Sequence, residues 1–343
     1  MGYGVPFRGG ADFDARWEFY RWLEEFTEDE VAEILGLNRV ITQWKLRSRT
    51  LELGSRTLVM GVVNVTPDSF SDGGRFFDTD AAIAHSMQLL DEGADLLDLG
   101  AESTRPGSRA GGAAGSGAST VSAEEEQARL LPVLEGVLKQ RPDAIVSVDT
   151  YKAETAQLAL AAGAEIINDV SGFLWDSGMP QVCAEAGCGV VLMHTRGRPE
   201  EWGTQAHLPP EELVETVRSG LQRSLNNAAK ADVQTNAIVL DPGYGFGKRG
   251  DENFALLARQ AELLSLGRPL LAGVSRKSFL GRALAPLYGG ETAPVEARET
   301  ASVAGLVAAI LNGASTVRVH NVRAAVKAAL VADRVIRQRI APN

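Results

Sequence analysis

The distribution of apolar and polar positions changes character at Thr57. From there on, short apolar runs of strand length recur at 58–65, 95–99, 144–148, 165–167, 190–193, 237–240, 269–273 and 316–319. Between them lie stretches whose apolar residues return every three or four positions, at 80–92, 123–140, 152–162, 178–186, 210–231, 252–266, 298–312 and 322–336. Continuous runs rich in Val, Ile and Leu are what strands buried on both faces require, and the intervening period is that of amphipathic helices. Gly93 and Gly187 are among the glycines that fall just past a helical pattern, where a left-handed C-cap fits. Strict alternation of strand and helix predicts a parallel sheet, and eight such units favour a closed (β/α)8 barrel (a TIM barrel, class α/β) over an open sheet.

Two segments stand outside this march. Residues 1–50 hold Trp17, Trp22 and Trp44, and 14–37 reads as one or two amphipathic helices, the second opened by the capping box Thr27-Glu28-Asp29-Glu30. The chain is therefore divided into a mostly helical N-terminal extension, 1–50, and a barrel, 51–340. The extension is expected to pack on the barrel or on a dimer partner, with docking of another protein as the alternative. Residues 47–53 and 58–62 could pair as a hairpin flooring the barrel. Residues 106–120 are dominated by Gly, Ala and Ser, which cannot build a core, so a flexible loop is expected there.

Composition narrows the class. At 343 residues, with 45% hydrophobic and 23% charged positions, the chain is long enough for a large core and has ordinary globular values. No apolar run approaches bilayer length, and the first residues carry Arg8 without an apolar signal segment, so the cytoplasm is the expected location. Cys183 and Cys188 make neither a disulfide framework nor a zinc motif. The net charge of −10 disfavours nucleic acid and anionic membrane as partners. Against that background the basic groups at strand ends, Arg276-Lys277, Lys248-Arg249 and Arg318 with His320, point to an anionic substrate, with plain surface charge as the alternative.

In a barrel of this kind, functional side chains come from the C-terminal ends of the strands and the loops that follow. Every predicted strand here ends on or runs into hydrogen-bonding groups: Asn64, Asp98, Asp149, Asn168-Asp169, His194, Asp241, Ser275 to Ser278, and Arg318-Val319-His320-Asn321. Taken singly, Asp149 could be a helix N-cap and His194 a core histidine. Taken as a series, they indicate one shared site. Asp149, Asn168, Asp241 and Lys277 suit a flat heterocycle with an aminopyrimidinone edge, because a carboxylate can accept two N–H bonds from such a system. Asn64, Arg318 and His320 form a second polar edge suited to phosphate oxygens and a Mg²⁺ ion, which takes few protein ligands. The Gly243–Lys248 loop is not a Walker A motif, since Arg249 stands where Ser or Thr would bind the metal.

The string Met60-Gly61-Val62-Val63-Asn64-Val65-Thr66-Pro67-Asp68-Ser69-Phe70-Ser71-Asp72-Gly73-Gly74 resembles the first signature of dihydropteroate synthases, the pterin-binding enzymes of folate synthesis. The resemblance extends through Asp98 to Gly107, Ser147-Val148-Asp149-Thr150, Ile167-Asn168-Asp169, Leu192-Met193-His194, Asp241 to Lys248, Ser275 to Ser278, and Arg318-Val319-His320. It implies condensation of 6-hydroxymethyl-7,8-dihydropterin pyrophosphate with p-aminobenzoate, and competition by sulfonamides. By position it implies Asp149, Asn168, Asp241 and Lys277 for the pterin, and Asn64, Arg318 and His320 for pyrophosphate. Mg²⁺ would lie on Asn64, with Asp72 as a second ligand, and Phe70, Thr104, Arg105, Pro106, Phe246 and Ser278 would surround p-aminobenzoate. Catalysis would fall to Lys277, Asp98, Arg318 and His320. A homodimer is expected.

The chain departs from the family pattern at Asn321, Ala101 and Thr195-Arg196, which replace a usual Asp, Gly and Met-Gln. These departures and the 106–120 segment bear on loops and assembly rather than on the chemistry. Two rival readings stay open: a methyltetrahydrofolate-binding methyltransferase domain on the same barrel, and a non-catalytic pterin-binding protein.

Overall fold

The computed structural model describes residues 42–65, 75–102 and 121–340. Phe70, Asp72, Thr104, Arg105 and Pro106, the helices expected in 14–37 and the loop expected at 106–120 lie outside the described residues. The strands are β1 (Gln43–Lys45), β2 (Thr50–Glu52), β3 (Leu58–Asn64), β4 (Leu96–Gly100), β5 (Val146–Asp149), β6 (Ile166–Asp169), β7 (Gly189–Met193), β8 (Ile238–Asp241), β9 (Leu270–Ala272) and β10 (Ala314–Val319). β3 to β10 pair in parallel and close into a barrel, because β10 bonds to both β9 and β3. All eight strands read from the sequence are these barrel strands, and the helices fall between them as the periodicity predicts. Among the described residues no helix is long and apolar enough to cross a membrane.

Side chains two apart on a strand share a face, and that rule separates the two cores. Val59, Val63, Leu97, Leu99, Val146 and Val148 face outward, in the cluster shared with the surrounding helices. Leu58, Met60, Leu96, Ile166, Val191, Val239 and Leu271 face inward, in a second cluster at the bottom of the barrel. Two residues further along the inward files stand Asp98, Asn168, Met193, Asp241 and Gly273, and further still Asn64. The same alternation leads from Ser147 to Asp149 and from Thr316 through Arg318 to His320. The barrel interior is therefore apolar below and polar above.

The bottom is closed by a hairpin of β1 and β2, which pair antiparallel with Trp44 opposite Leu51. Trp44 and Leu46 are buried in the inner cluster, and the Trp44 indole donates to the Ala237 carbonyl across 2.9 Å. Gly189 makes room for this plug: a Cβ there would stand 2.7 Å from Leu46 and 3.2 Å from the Trp44 ring nitrogen. The expectation of a hairpin between 47–53 and 58–62 is thus corrected. Residues 58–64 are buried almost throughout and belong to the barrel, and the floor is made from 43–52. Leu51, Leu53, Trp44 and Leu46 share one cluster with the barrel strands.

Two further differences have local causes. The helix expected over 252–266 is an α-helix Glu252–Ala258 followed by a 3₁₀ segment Gln260–Leu266. The break falls beside buried Gln260, whose amide donates to Ala309 and Asn312 carbonyls and accepts from the Tyr244 hydroxyl. A short helix, Ser278–Ala283, follows β9; six residues are too few to show a helical period.

Candidate active site

The register places Asn64 opposite Gly100, Gly100 opposite Asp149, and Asp149 opposite Asn168, so one row across β3 to β6 carries three of the expected site residues. One layer below, Asp98 is fully buried and both its oxygens are engaged. The Ser147 hydroxyl donates to Oδ1 at 2.7 Å, while the Asn168 amide and Arg318 Nε donate to Oδ2 at 3.1 and 2.5 Å. Arg318 also donates through Nη2 to Asp149 Oδ2 at 2.9 Å. These contacts tie β10 to β4 and β5 through one guanidinium, with β6 joined to it through Asp98.

Three expectations change here. Asp98, expected among the catalytic residues, is out of solvent with its acceptors occupied. Through these bonds it touches two other expected site residues, Asn168 and Arg318. Arg318, read as part of the phosphate edge alone, is also the counter-ion of Asp98 and Asp149. Asp149, read as a possible helix N-cap, instead holds this ion pair. Burial pushes its carboxyl up to about 7; Arg318 opposes that rise and Asp98 adds to it. Arg318 itself is lowered by burial but raised more by Asp98 and Asp149, to above its ordinary value.

Asp241 ends β8 inside the barrel, and its Oδ1 accepts the Gly243 N–H at 2.7 Å. Burial raises its pKa, with Lys277, Lys248 and Arg318 among the cations that pull the other way. Gly273, the next inward position beyond β9, keeps the space between them open. A Cβ there would lie 3.8 Å from Asp241 Oδ2 and 3.9 Å from Arg318 Cβ.

Lys277 lies at the start of the Ser278–Ala283 helix, with its ammonium 4.0 Å from the centre of the Phe246 ring, a cation–π contact. Phe246 is held edge-on by Trp202 at 5.1 Å between centroids. Ser278 is the first residue of that helix. His320 follows β10, and Ser275 Oγ sits 3.2 Å from its backbone N and 3.0 Å from Nδ1. Asn64 ends β3 partly exposed, the only residue of that strand not buried. Of the metal pair read from the sequence, it alone is described.

Lys248, read with Arg249 as a basic cluster, is not at the site. Its ammonium is buried and donates to the His194 and Gly243 carbonyls, each at 2.8 Å, with burial lowering its pKa well below the ordinary value. It straps the loops after β7 and β8 together. Gly243, at φ +69°, is required there, because a Cβ would stand 2.0 Å from the His194 carbonyl oxygen. His194 is buried and kept neutral by desolvation, in line with a core histidine.

The sequence reading named Ser147 and Ser275 only within longer motifs, with no role of their own, and missed a second buried network. Ser147 lies two residues before Asp149, so strand alternation could have placed it inward. In the second network, Lys152 pairs with Glu102 and with Glu126, the latter at 3.2 Å. Thr150 and Thr155 donate to Glu126 as well, and Tyr151 to Glu102. Glu126 sits on the helix Ala123–Gln140 at a position of the buried face, an anomaly visible in its pattern.

Comparison with known proteins bears on what such a site does. A family model described as "Pterin binding enzyme" matches residues 60–320. The chain is 43% identical over 270 residues to the dihydropteroate synthase of Mycobacterium leprae, covering 79% of this chain and 90% of the relative. It is 39% identical to that of Bacillus subtilis over 286 residues, covering 83% and 91%. Among solved structures, the Xanthomonas albilineans dihydropteroate synthase in complex with 7,8-dihydropteroate matches with a TM-score of 0.72 at 38% identity, covering 88% of this chain and all of that one. The Yersinia pestis dihydropteroate synthase with a sulfonamide drug complex matches with a TM-score of 0.75 at 38% identity, covering 86% and 99%.

Proposed function

The chain belongs to the pterin-binding enzymes, its relatives there being dihydropteroate synthases, and on that premise we propose how its residues carry out the synthase reaction. 6-Hydroxymethyl-7,8-dihydropterin pyrophosphate and p-aminobenzoate give 7,8-dihydropteroate and pyrophosphate. The bond from the exocyclic methylene carbon to the pyrophosphate oxygen breaks, and its electron pair leaves with pyrophosphate. The arylamine nitrogen bonds to that carbon and loses a proton.

The observation that carries the assignment is the polar cluster at the top of a barrel that is apolar below: Asp149 and Asp98 on Arg318, Asn168 on Asp98, and Asp241 across Gly273 from Arg318. Ionised Asp149 and the Oδ2 of Asp241 would accept N–H bonds from the amino-pyrimidinone edge of the pterin. Asn168, having given one N–H to Asp98, offers its carbonyl oxygen and second N–H. Lys277 would donate to the pterin carbonyl beside the Phe246 ring. Arg318 and His320 would meet the pyrophosphate, where fixed positive charge stabilises the negative charge that develops on leaving. Holding both reactants aligned supplies the rest, and no covalent enzyme intermediate is needed.

Mg²⁺ belongs to the proposal through Asn64, whose amide offers a hard oxygen at the partly exposed end of β3, with phosphate oxygens and water suited to complete the shell. When bound, it would add positive charge beside the leaving pyrophosphate. Asp72 is proposed as its second ligand. Ser278 and Phe246, with Phe70, Thr104, Arg105 and Pro106, are proposed for p-aminobenzoate, and sulfonamides would compete there. A cytoplasmic homodimer completes the reading.

Product identity is the test. Mass spectrometry of a reaction holding both substrates should show 7,8-dihydropteroate. A folded protein that binds the pterin but forms none would favour a non-catalytic pterin binder.

A further inference from the structure

Arg276 stands between Ser275, which holds His320, and Lys277, and its backbone is left-handed, at φ +58°. This region is disfavoured for any residue with a Cβ, and such a residue persists there only where its surroundings over-determine it. The surroundings do so here. The turn is closed by Lys277 N donating to the Val274 carbonyl at 3.3 Å. Arg276 N donates to Ser302 Oγ at 2.9 Å, and Ser302 Oγ in turn donates to the Arg298 carbonyl at 2.7 Å. The Arg298 guanidinium donates through Nη1 to the Arg276 carbonyl at 3.0 Å and through Nε to the Ala293 carbonyl at 2.9 Å. Both backbone groups of the strained residue are thus held by one turn at the start of the helix Glu299–Leu311. The guanidinium lies flush on the neighbouring helix, since a Cβ on Gly281 would stand 2.6 Å from its Nε.

We propose that Arg298 and Ser302 are positioning residues for the synthase reaction. By clamping the left-handed Arg276 they set Lys277, on the heterocycle side, against His320, on the pyrophosphate side. Neither touches the substrate in this scheme. Both act through the Val274–Lys277 turn, whose two flanking contacts belong to opposite edges of the site. The inference rests on the function proposed above, and its test separates the two.

The test is a double-mutant cycle between Arg298→Ala and Arg276→Gly, since glycine adopts this φ without a clamp. Arg298→Ala should lower kcat about ten- to a hundredfold, the scale of a small misplacement of reacting groups, with KM changing less. In the Arg276→Gly background the same substitution should lower kcat at least threefold less. Ser302→Ala should reproduce the Arg298→Ala loss, and Ser302→Thr, which keeps the hydroxyl, should restore most of it. Unfolding midpoints of the same four proteins provide a readout that needs no turnover, and Arg298→Ala should shift the midpoint less in the glycine background. Additive effects in both kinetics and unfolding, or unchanged kcat in folded Arg298→Ala, would overturn the clamp. An inactive wild type with a coupled unfolding cycle would overturn the function and leave the clamp standing.

Discussion

Arg318 donates through Nε to Asp98 Oδ2 across 2.5 Å, joining residues 220 apart in sequence and fixing the last strand of the barrel to its second. Asp98 has no solvent exposure, so its charge is compensated only by this contact and by its bonds to Ser147 and Asn168 among the described residues. Arg318 keeps Asp149 when Asp98 loses its charge, so what is lost is the charge-assisted hydrogen bonding at Asp98, worth about 1.5–3 kcal/mol per bond. Asp98→Asn should therefore destabilise the fold by that order in urea unfolding and weaken pterin binding at the same time. Unchanged stability would show that the pair does not organise the site.

Asp149 gives a pH dependence. Its carboxyl is raised by burial to about 7, from an ordinary value of 3.8. The folded state thus holds a proton that the unfolded chain has released between about 4 and 7. The stability this contributes is fully present below about 4 and is lost as the pH rises through about 7. Binding runs the other way, because an N–H donor on the pterin favours the ionised carboxylate. The affinity of a non-reactive pterin analogue should rise from pH 6 to pH 8, and the rise should be absent in Asp149→Asn. An equal rise in that variant would assign the titration to another group.

Lys277→Ala should nearly abolish turnover while leaving the unfolding midpoint close to that of the wild type. Hydrogen bonds to charged groups are worth about 1.5–3 kcal/mol each, and the ammonium stands over the Phe246 ring rather than within the core. Near-normal kcat in the folded variant would remove Lys277 from the mechanism.

Lys248 should behave in the opposite way. Its ammonium satisfies the carbonyls of His194 and Gly243, and an unsatisfied buried polar group costs about 1–3 kcal/mol. Lys248→Met should lower stability by that order, with the larger effect in urea unfolding and the smaller in KM. Loss of activity without loss of stability would contradict the strap.

The barrel was legible because strands buried on both faces and amphipathic helices have periods that a single sequence displays. The inward set was legible too, since alternation from Met60 to Asn64 or from Ile166 to Asn168 puts apolar and polar members on one face. What escaped the reading depends on tertiary context. The plug strand Gln43–Lys45 is three residues long, too short for a period, and its role comes from Trp44 meeting Ala237 far along the chain. Lys248 resembles surface charge until the loops after β7 and β8 fold over it. The double use of Arg318 by Asp98 and Asp149 required the barrel to close, since no local pattern links residues so far apart.

Measuring pyrophosphate and 7,8-dihydropteroate in the same reaction, with each substrate omitted in turn, tests the assigned chemistry most directly. Equal amounts of the two products should appear when both substrates are present, and neither when p-aminobenzoate or the pterin pyrophosphate is left out. Pyrophosphate release without dihydropteroate, or no turnover by folded protein that binds the pterin pyrophosphate, would contradict it.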